Sequence, residues 1–221
     1  MRMAYPQPPF VRFCRAVVGS FVKFLMITLC DVRVQGLDNV PPYGPYFIVF
    51  NHIDTLDAPL LLLFWPYPPE GFTAIENFSN PANGVLMRMY GAIPLKRTEY
   101  DRAALETGLA VLKAGSPLVV APEGTRRRQA GMQPAKQGIA FLALKAKVPI
   151  VPVGITGTEN WIPDWKRLRR PRLTLTIGKP FELPGDPLTR EKRREKLEEY
   201  TTLIMKKIAE LLPAEYRGVY A

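Results

Sequence analysis

The amino-acid sequence predicts an α/β fold, a mixed and largely parallel sheet flanked by helices. Three observations carry that expectation. After Asp31, short runs rich in β-branched and aromatic residues recur between turn signals. Stretches with apolar residues at the helical period alternate with them. The composition of the 221 residues, 47% hydrophobic and 23% charged, is globular and supplies a sizeable core. At about 150 residues per domain the length fits one compact domain with an appendage.

In chain order, the first element is the appendage. Residues 15–31, RAVVGSFVKFLMITLCD, contain an apolar run of 15 residues interrupted by Lys23, short of the roughly 20 that span a bilayer. Residues 1–30 hold Arg2, Arg12, Arg15 and Lys23 and no acid, with Phe10, Phe13, Phe21 and Phe24 near helical spacing. That pattern suits a helix lying in an anionic interface, with a docking helix and a signal or spanning segment as alternatives. A signal cleavage site fits Thr28-Leu29-Cys30-Asp31 poorly. The expected organisation is therefore an amphipathic, membrane-anchoring helical segment at 1–30 and one folding unit at 31–221.

The expected strands of that unit are VRVQG (32–36), YFIVF (46–50), GAIPLK (91–96), PLVVA (117–121), VPIVPVGI (148–155) and RLTLTIG (172–178). Helices are expected at 101–114, which ends at Gly115, at 135–146, which leads into the next strand, and near Leu56. Residues 189–212 read as a last amphipathic helix with Leu197, Tyr200, Ile204, Ile208 and Leu211 on one stripe. Prolines cluster at 6–9, 41–45, 66–69 and 171–187 and punctuate the chain.

Thirty Lys and Arg against 20 Asp and Glu give a net charge of +10, which points to an anionic partner: nucleic acid, a phospholipid surface or a phosphorylated substrate. Two cysteines, Cys14 and Cys30, and one histidine, His52, leave no disulfide scaffold and no multi-cysteine or histidine-rich metal site. Neither a P-loop nor a G-x-G-x-x-G motif occurs.

Functional groups in open α/β sheets gather beyond the carboxyl ends of strands. Three expected strands end in polar clusters: Asn51-His52-Ile53-Asp54-Thr55-Leu56-Asp57, Arg97 after GAIPLK, and Pro122-Glu123-Gly124-Thr125-Arg126-Arg127-Arg128. His52 and Asp57 are five apart, so an Asp57 on the first turn of a helix reaches the imidazole N–H and leaves the other nitrogen as a general base. The pair alone also fits a strand-end histidine beside a helix-capping aspartate. The serines, Ser20, Ser79 and Ser116, lie in no G-x-S-x-G elbow, so a mechanism in which the substrate's own hydroxyl attacks fits better than a serine hydrolase. Glu123-Gly124-Thr125-Arg126 combines a glycine turn, backbone amides and a guanidinium, the parts that hold a phosphate, with Lys96 and Arg97 as further cations.

The order Asn51-His52-x4-Asp57, Gly91-Ala92-Ile93-Pro94-Leu95-Lys96-Arg97, Pro122-Glu123-Gly124-Thr125-Arg126 and Val148-Pro149-Ile150-Val151-Pro152-Val153 resembles the glycerolipid acyltransferases, especially lysophosphatidic acid acyltransferase. The ending 212–218 also looks like bacterial members. The resemblance implies transfer of an acyl group from acyl-CoA or acyl carrier protein to a lysophospholipid hydroxyl, with no other cofactor, at the cytoplasmic face of the cell membrane. It implies an N-terminal two-helix membrane motif and makes 31–221 the catalytic domain. It assigns His52 as base, Asp57 as its orienting partner, Arg97 and Arg126 as phosphate contacts, and Glu123, Gly124 and Thr125 as the acceptor loop. Lys136, in Lys-x-Gly at 136–138, is a further substrate-binding candidate.

This sequence departs from the family pattern at Asp54, where many relatives carry serine, and at Arg127 and Arg128, which are additional. A different acceptor, glycerol 3-phosphate or another lysolipid, is the competing enzyme reading. A non-catalytic basic module is the competing reading of another class, carried by WKRLRRPR (165–172). RNA binding is not expected, because Trp161 and Trp165 precede the charge run instead of interleaving with it.

Overall fold

A computed structural model describes residues 5–42, 44–96, 101–184 and 193–221. Its centre is a seven-stranded sheet. The strands are β1 (Asp31–Gln35), β2 (Phe47–Phe50), β3 (Glu70–Ala74), β4 (Ile93–Leu95), β5 (Leu118–Val120), β6 (Ile150–Thr156) and β7 (Arg172–Ile177), in the spatial order β1-β7-β6-β2-β5-β3-β4. All neighbours pair in parallel except β6 with β7. The sheet is therefore mixed and mostly parallel, as the sequence predicts.

Strand β2 shows why the sequence folds this way. All four of its side chains are buried, the signature of a central strand covered on both faces. Phe47 and Val49 join the core beneath α4 (Arg102–Lys113), α5 (Gly138–Ala146) and α7 (Arg193–Ala209). Ile48 and Phe50 join the opposite core, where α1 (Pro9–Leu29) and α2 (Asp57–Phe64) supply Met26, Leu60 and Leu61. Each face of the sheet thus has its own helical cover.

Strand β3, helix α3 (Pro81–Tyr90) and helix α6 (Trp161–Lys166) escape the sequence pattern. Strand β3 reads EGFTA, with a buried Glu70 that accepts bidentate hydrogen bonds from Arg15 on α1 at 2.9 and 2.6 Å. Helix α3 (Pro81–Tyr90) starts at an Asn80 cap whose side chain accepts from the Asn83 N–H and stops at Gly91. The last helix is described only from Arg193, so the expected residues 189–192 lie outside the described residues.

The N-terminal segment is helical, as expected for 1–30, and the resemblance implies a two-helix motif there. Residues 9–29 form one continuous α-helix that passes directly through Cys30 into β1. Pro8 and Pro9 set its start, and Gly19 is held inside it because α2 packs close by, with Leu63 3.3 Å from where a side-chain carbon would stand. Val11, Cys14 and Met26 are buried against the domain. Arg15 ties the helix down, donating also to the Tyr90 carbonyl and lying 4.4 Å from the Tyr90 ring centre. Phe10, Phe13, Val17, Phe21, Phe24 and Ile27, spaced by threes and fours, are each more than half exposed along the outer face. No helix among the described residues is long and apolar enough to cross a membrane.

Candidate active site

Strands β2, β5 and β6 are parallel neighbours, so the loops at their carboxyl ends converge. The β2 loop is fixed first. Asn51, buried, pairs its side-chain amide with both backbone groups of Ile155, accepting from N–H at 2.7 Å and donating to C=O at 2.9 Å. That clamp holds the end of β2 against β6 and sets the origin of His52.

Asp57 opens α2 and is fully buried. One oxygen, Oδ2, accepts from His52 Nδ1 at 2.8 Å, Ile53 N at 2.5 Å and Asp54 N at 2.8 Å. The other, Oδ1, accepts from the hydroxyl of Thr158 at 2.5 Å. Because the carboxylate accepts from its other partners, its partner nitrogen on the ring is the protonated one. Nε2 then carries the lone pair, and it makes no hydrogen bond among the described residues. The His52 side chain keeps 14% of its surface exposed.

Glu123 supports the same loop from β5. Its Oε1 accepts from the His52 N–H and its Oε2 from the Gln133 N–H, both at 2.9 Å. Burial pushes the Glu123 carboxyl above its ordinary value; the two N–H groups and the nearby imidazole pull it back in part, and Asp57 adds to the rise. Gly124 follows at φ +69°, with the Lys136 side chain packed 3.2 Å from where a Cβ would stand, so the turn both requires glycine and brings Lys136 beside the loop. Thr125 is exposed, and Arg126 donates to the Thr55 hydroxyl at 2.7 Å, which places its guanidinium on the His52–Asp57 loop. Arg128 donates its N–H to the Ile53 carbonyl at 2.9 Å. Arg97 lies outside the described residues.

Asp54, the departure from the family pattern, does not engage the imidazole. Its Oδ1 accepts from Trp161 Nε1 at 2.9 Å, on α6 (Trp161–Lys166). The sequence alone assigns no role to Asn51, Thr158 or Trp161. Asn51 had a signal, its place directly before His52, but Thr158 and Trp161 lie more than 100 positions from their partners and only the parallel pairing of β6 beside β2 reveals them. The two cysteines sit on or just after α1, buried, and burial raises the Cys30 thiol against the opposing pull of Arg170, so neither is an exposed nucleophile. Ser116 accepts from the Tyr5 N–H.

A cavity of about 600 Å³ opens beside the β5 loop, with Phe72, Leu95, Leu105, Ile139 and Leu142 on its apolar wall and Gly124, Lys96 and Lys136 among its lining. The ends of these parallel strands thus bring together a buried carboxylate holding one ring nitrogen of His52, the Arg126 guanidinium on the same loop and an apolar cavity.

Comparison with known proteins identifies the family. A family model described as Acyltransferase matches residues 31–156. The chain is 32% identical to the chloroplastic 1-acyl-sn-glycerol-3-phosphate acyltransferase of Brassica napus, over 77% of this chain and 51% of that one. It is 34% identical to the 1-acyl-sn-glycerol-3-phosphate acyltransferase of Saccharomyces cerevisiae, over 77% of this chain and 57% of that one. The crystal structure of the 1-acyl-sn-glycerophosphate (LPA) acyltransferase PlsC from Thermotoga maritima superposes with a TM-score of 0.63 at 27% identity, covering 86% of this chain and 78% of that one. The chain thus belongs to the acyltransferase family. It spans about half the length of the two named sequence relatives.

Proposed function

We propose that the protein transfers a fatty acyl group from acyl-CoA or acyl carrier protein to the free hydroxyl of lysophosphatidic acid, giving phosphatidic acid. The observation that carries this reading is the His52 Nδ1–Asp57 Oδ2 contact at 2.8 Å, which leaves Nε2 unpaired. In this mechanism Nε2 takes the proton of the acceptor hydroxyl as its oxygen attacks the thioester carbonyl carbon. The tetrahedral intermediate collapses, the C–S bond breaks, and the imidazolium returns the proton to the leaving thiolate. Asp57 keeps the ring in the required tautomer and stabilises the imidazolium. No covalent enzyme intermediate and no further cofactor enter the cycle.

Arg126, with Arg97, contacts the acceptor phosphate; Glu123, Gly124 and Thr125 shape the loop that receives it, and Lys136 adds a cation at its edge. The apolar cavity takes an acyl chain. Helix α1 is the lipid-facing segment: its outer stripe of exposed apolar side chains enters an anionic bilayer, which makes the enzyme peripheral or monotopic on the cytoplasmic face of the cell membrane, with 31–221 as the catalytic domain. Purified protein offered labelled acyl-CoA or acyl carrier protein together with lysophosphatidic acid should form phosphatidic acid. Absence of product with both donors would contradict the proposal. Arg126→Ala should raise the apparent KM for lysophosphatidic acid by about tenfold or more, because a charge-assisted phosphate contact is lost. An equal effect on an acceptor without phosphate would remove that assignment.

A further inference from the structure

We propose that the turn closing α6 is a second lipid contact, which inserts Leu168 into an anionic bilayer beside α1; the proposal rests on the reading of α1 as lipid-facing. Leu168 is 97% exposed and holds φ +55°, a left-handed conformation that suits glycine or asparagine. A large apolar side chain therefore projects into solvent from a backbone that does not favour it. Its surroundings fit a membrane: Lys166, Arg167, Arg169 and Arg170 are all exposed, with Asp164 as the acid of the segment, and Ile162 and Trp165 are exposed apolar neighbours on the preceding helix.

The turn is also continuous with the outer stripe of α1. Trp165 Nε1 donates to the Leu29 carbonyl at 3.2 Å, and Arg170 donates to the carbonyls of Ile27 and Cys30 at 2.7 Å each. These bonds hold the turn against the end of α1 where its exposed Ile27 finishes the stripe, so the two apolar features are neighbours on the surface. The other end of the segment reaches the active site. Gly157 begins it at φ +86°, where a Cβ would stand 1.9 Å from the Arg172 carbonyl oxygen; Thr158 then holds Asp57 and Trp161 holds Asp54. Lipid contact at Leu168 would thereby fix the position of the His52 loop relative to the bilayer.

The test uses the full chain and vesicles of phosphatidylglycerol and phosphatidylcholine. Leu168→Asn keeps the left-handed backbone and removes the apolar side chain; it should weaken vesicle binding about tenfold. Arg167→Gln and Arg169→Gln should each weaken it about fivefold at low salt and flatten its salt dependence. An environment-sensitive fluorophore on Leu168→Cys should shift to the blue when vesicles are added, Cys14 and Cys30 being buried. An unshifted probe, or wild-type binding by Leu168→Asn while Phe21→Asp is released, overturns the second contact and leaves the α1 reading standing. Failure of the wild-type chain to bind such vesicles overturns both.

Discussion

Asp57 accepts four hydrogen bonds with no exposed surface, three at one oxygen and one at the other. An amide in its place offers one acceptor oxygen and presents an N–H₂ either to the imidazole or to Thr158. Asp57→Asn should therefore lower turnover by about 10³- to 10⁴-fold by favouring the wrong tautomer. Thr158→Val leaves Oδ1 without its donor. It should cost about 1–3 kcal/mol of stability, measured by chemical denaturation, and lower turnover about tenfold, with Thr158→Ser restoring both. A wild-type Thr158→Val would show that Oδ1 needs no donor. Glu123 gives a pH-dependent prediction. Its carboxyl is raised by burial, so the folded chain holds this proton to higher pH than the unfolded chain does. Its contribution to stability is full below the ordinary carboxylate range and is lost as pH rises through the raised value. The thermal midpoint of the wild type relative to Glu123→Gln should accordingly fall as pH rises from the ordinary carboxylate range; a relative rise would contradict the assignment.

The elements read most easily from sequence are those whose burial is carried by apolar residues. YFIVF and VPIVPVGI stand out because their strands lie in the sheet interior, where both faces need hydrophobic side chains. Strand β3 did not, since its burial depends on Glu70, and the partner that makes a buried carboxylate tolerable is Arg15, 55 residues away. Helix α3 has readable ends, Asn80-Pro81 and Gly91, but Asn83-Gly84 interrupts its interior with turn residues. Helix α1 begins before the apolar run because Pro9 suits a first-turn position. The Arg15–Glu70 pair gives this scale its test. Arg15→Met leaves Glu70 buried without its cation and should cost about 3–5 kcal/mol in chemical denaturation, whereas Arg15→Met with Glu70→Leu should recover most of the loss. A single variant as stable as wild type would show that Glu70 does not depend on the pair.

Across the whole molecule, the sheet assembles a site from loops at the ends of separate strands, and the sequence marks two of these loops by their own polar clusters. The five-residue spacing of His52 and Asp57 pointed to their contact, and Glu123-Gly124-Thr125-Arg126 pointed to a second loop. Their meeting depends on β5 pairing beside β2, and the support from Thr158 and Trp161 depends on β6 pairing on the other side. The same topology leaves α1 on the flank of the domain with its apolar stripe outward. The most direct test of that account is acyl transfer from labelled acyl-CoA or acyl carrier protein to lysophosphatidic acid by wild type and His52→Ala, with circular dichroism to verify the fold. The account predicts a loss of about 10²- to 10⁴-fold in phosphatidic acid formation with the fold intact. Phosphatidic acid formed by a folded His52→Ala at a rate within a few-fold of wild type would contradict it.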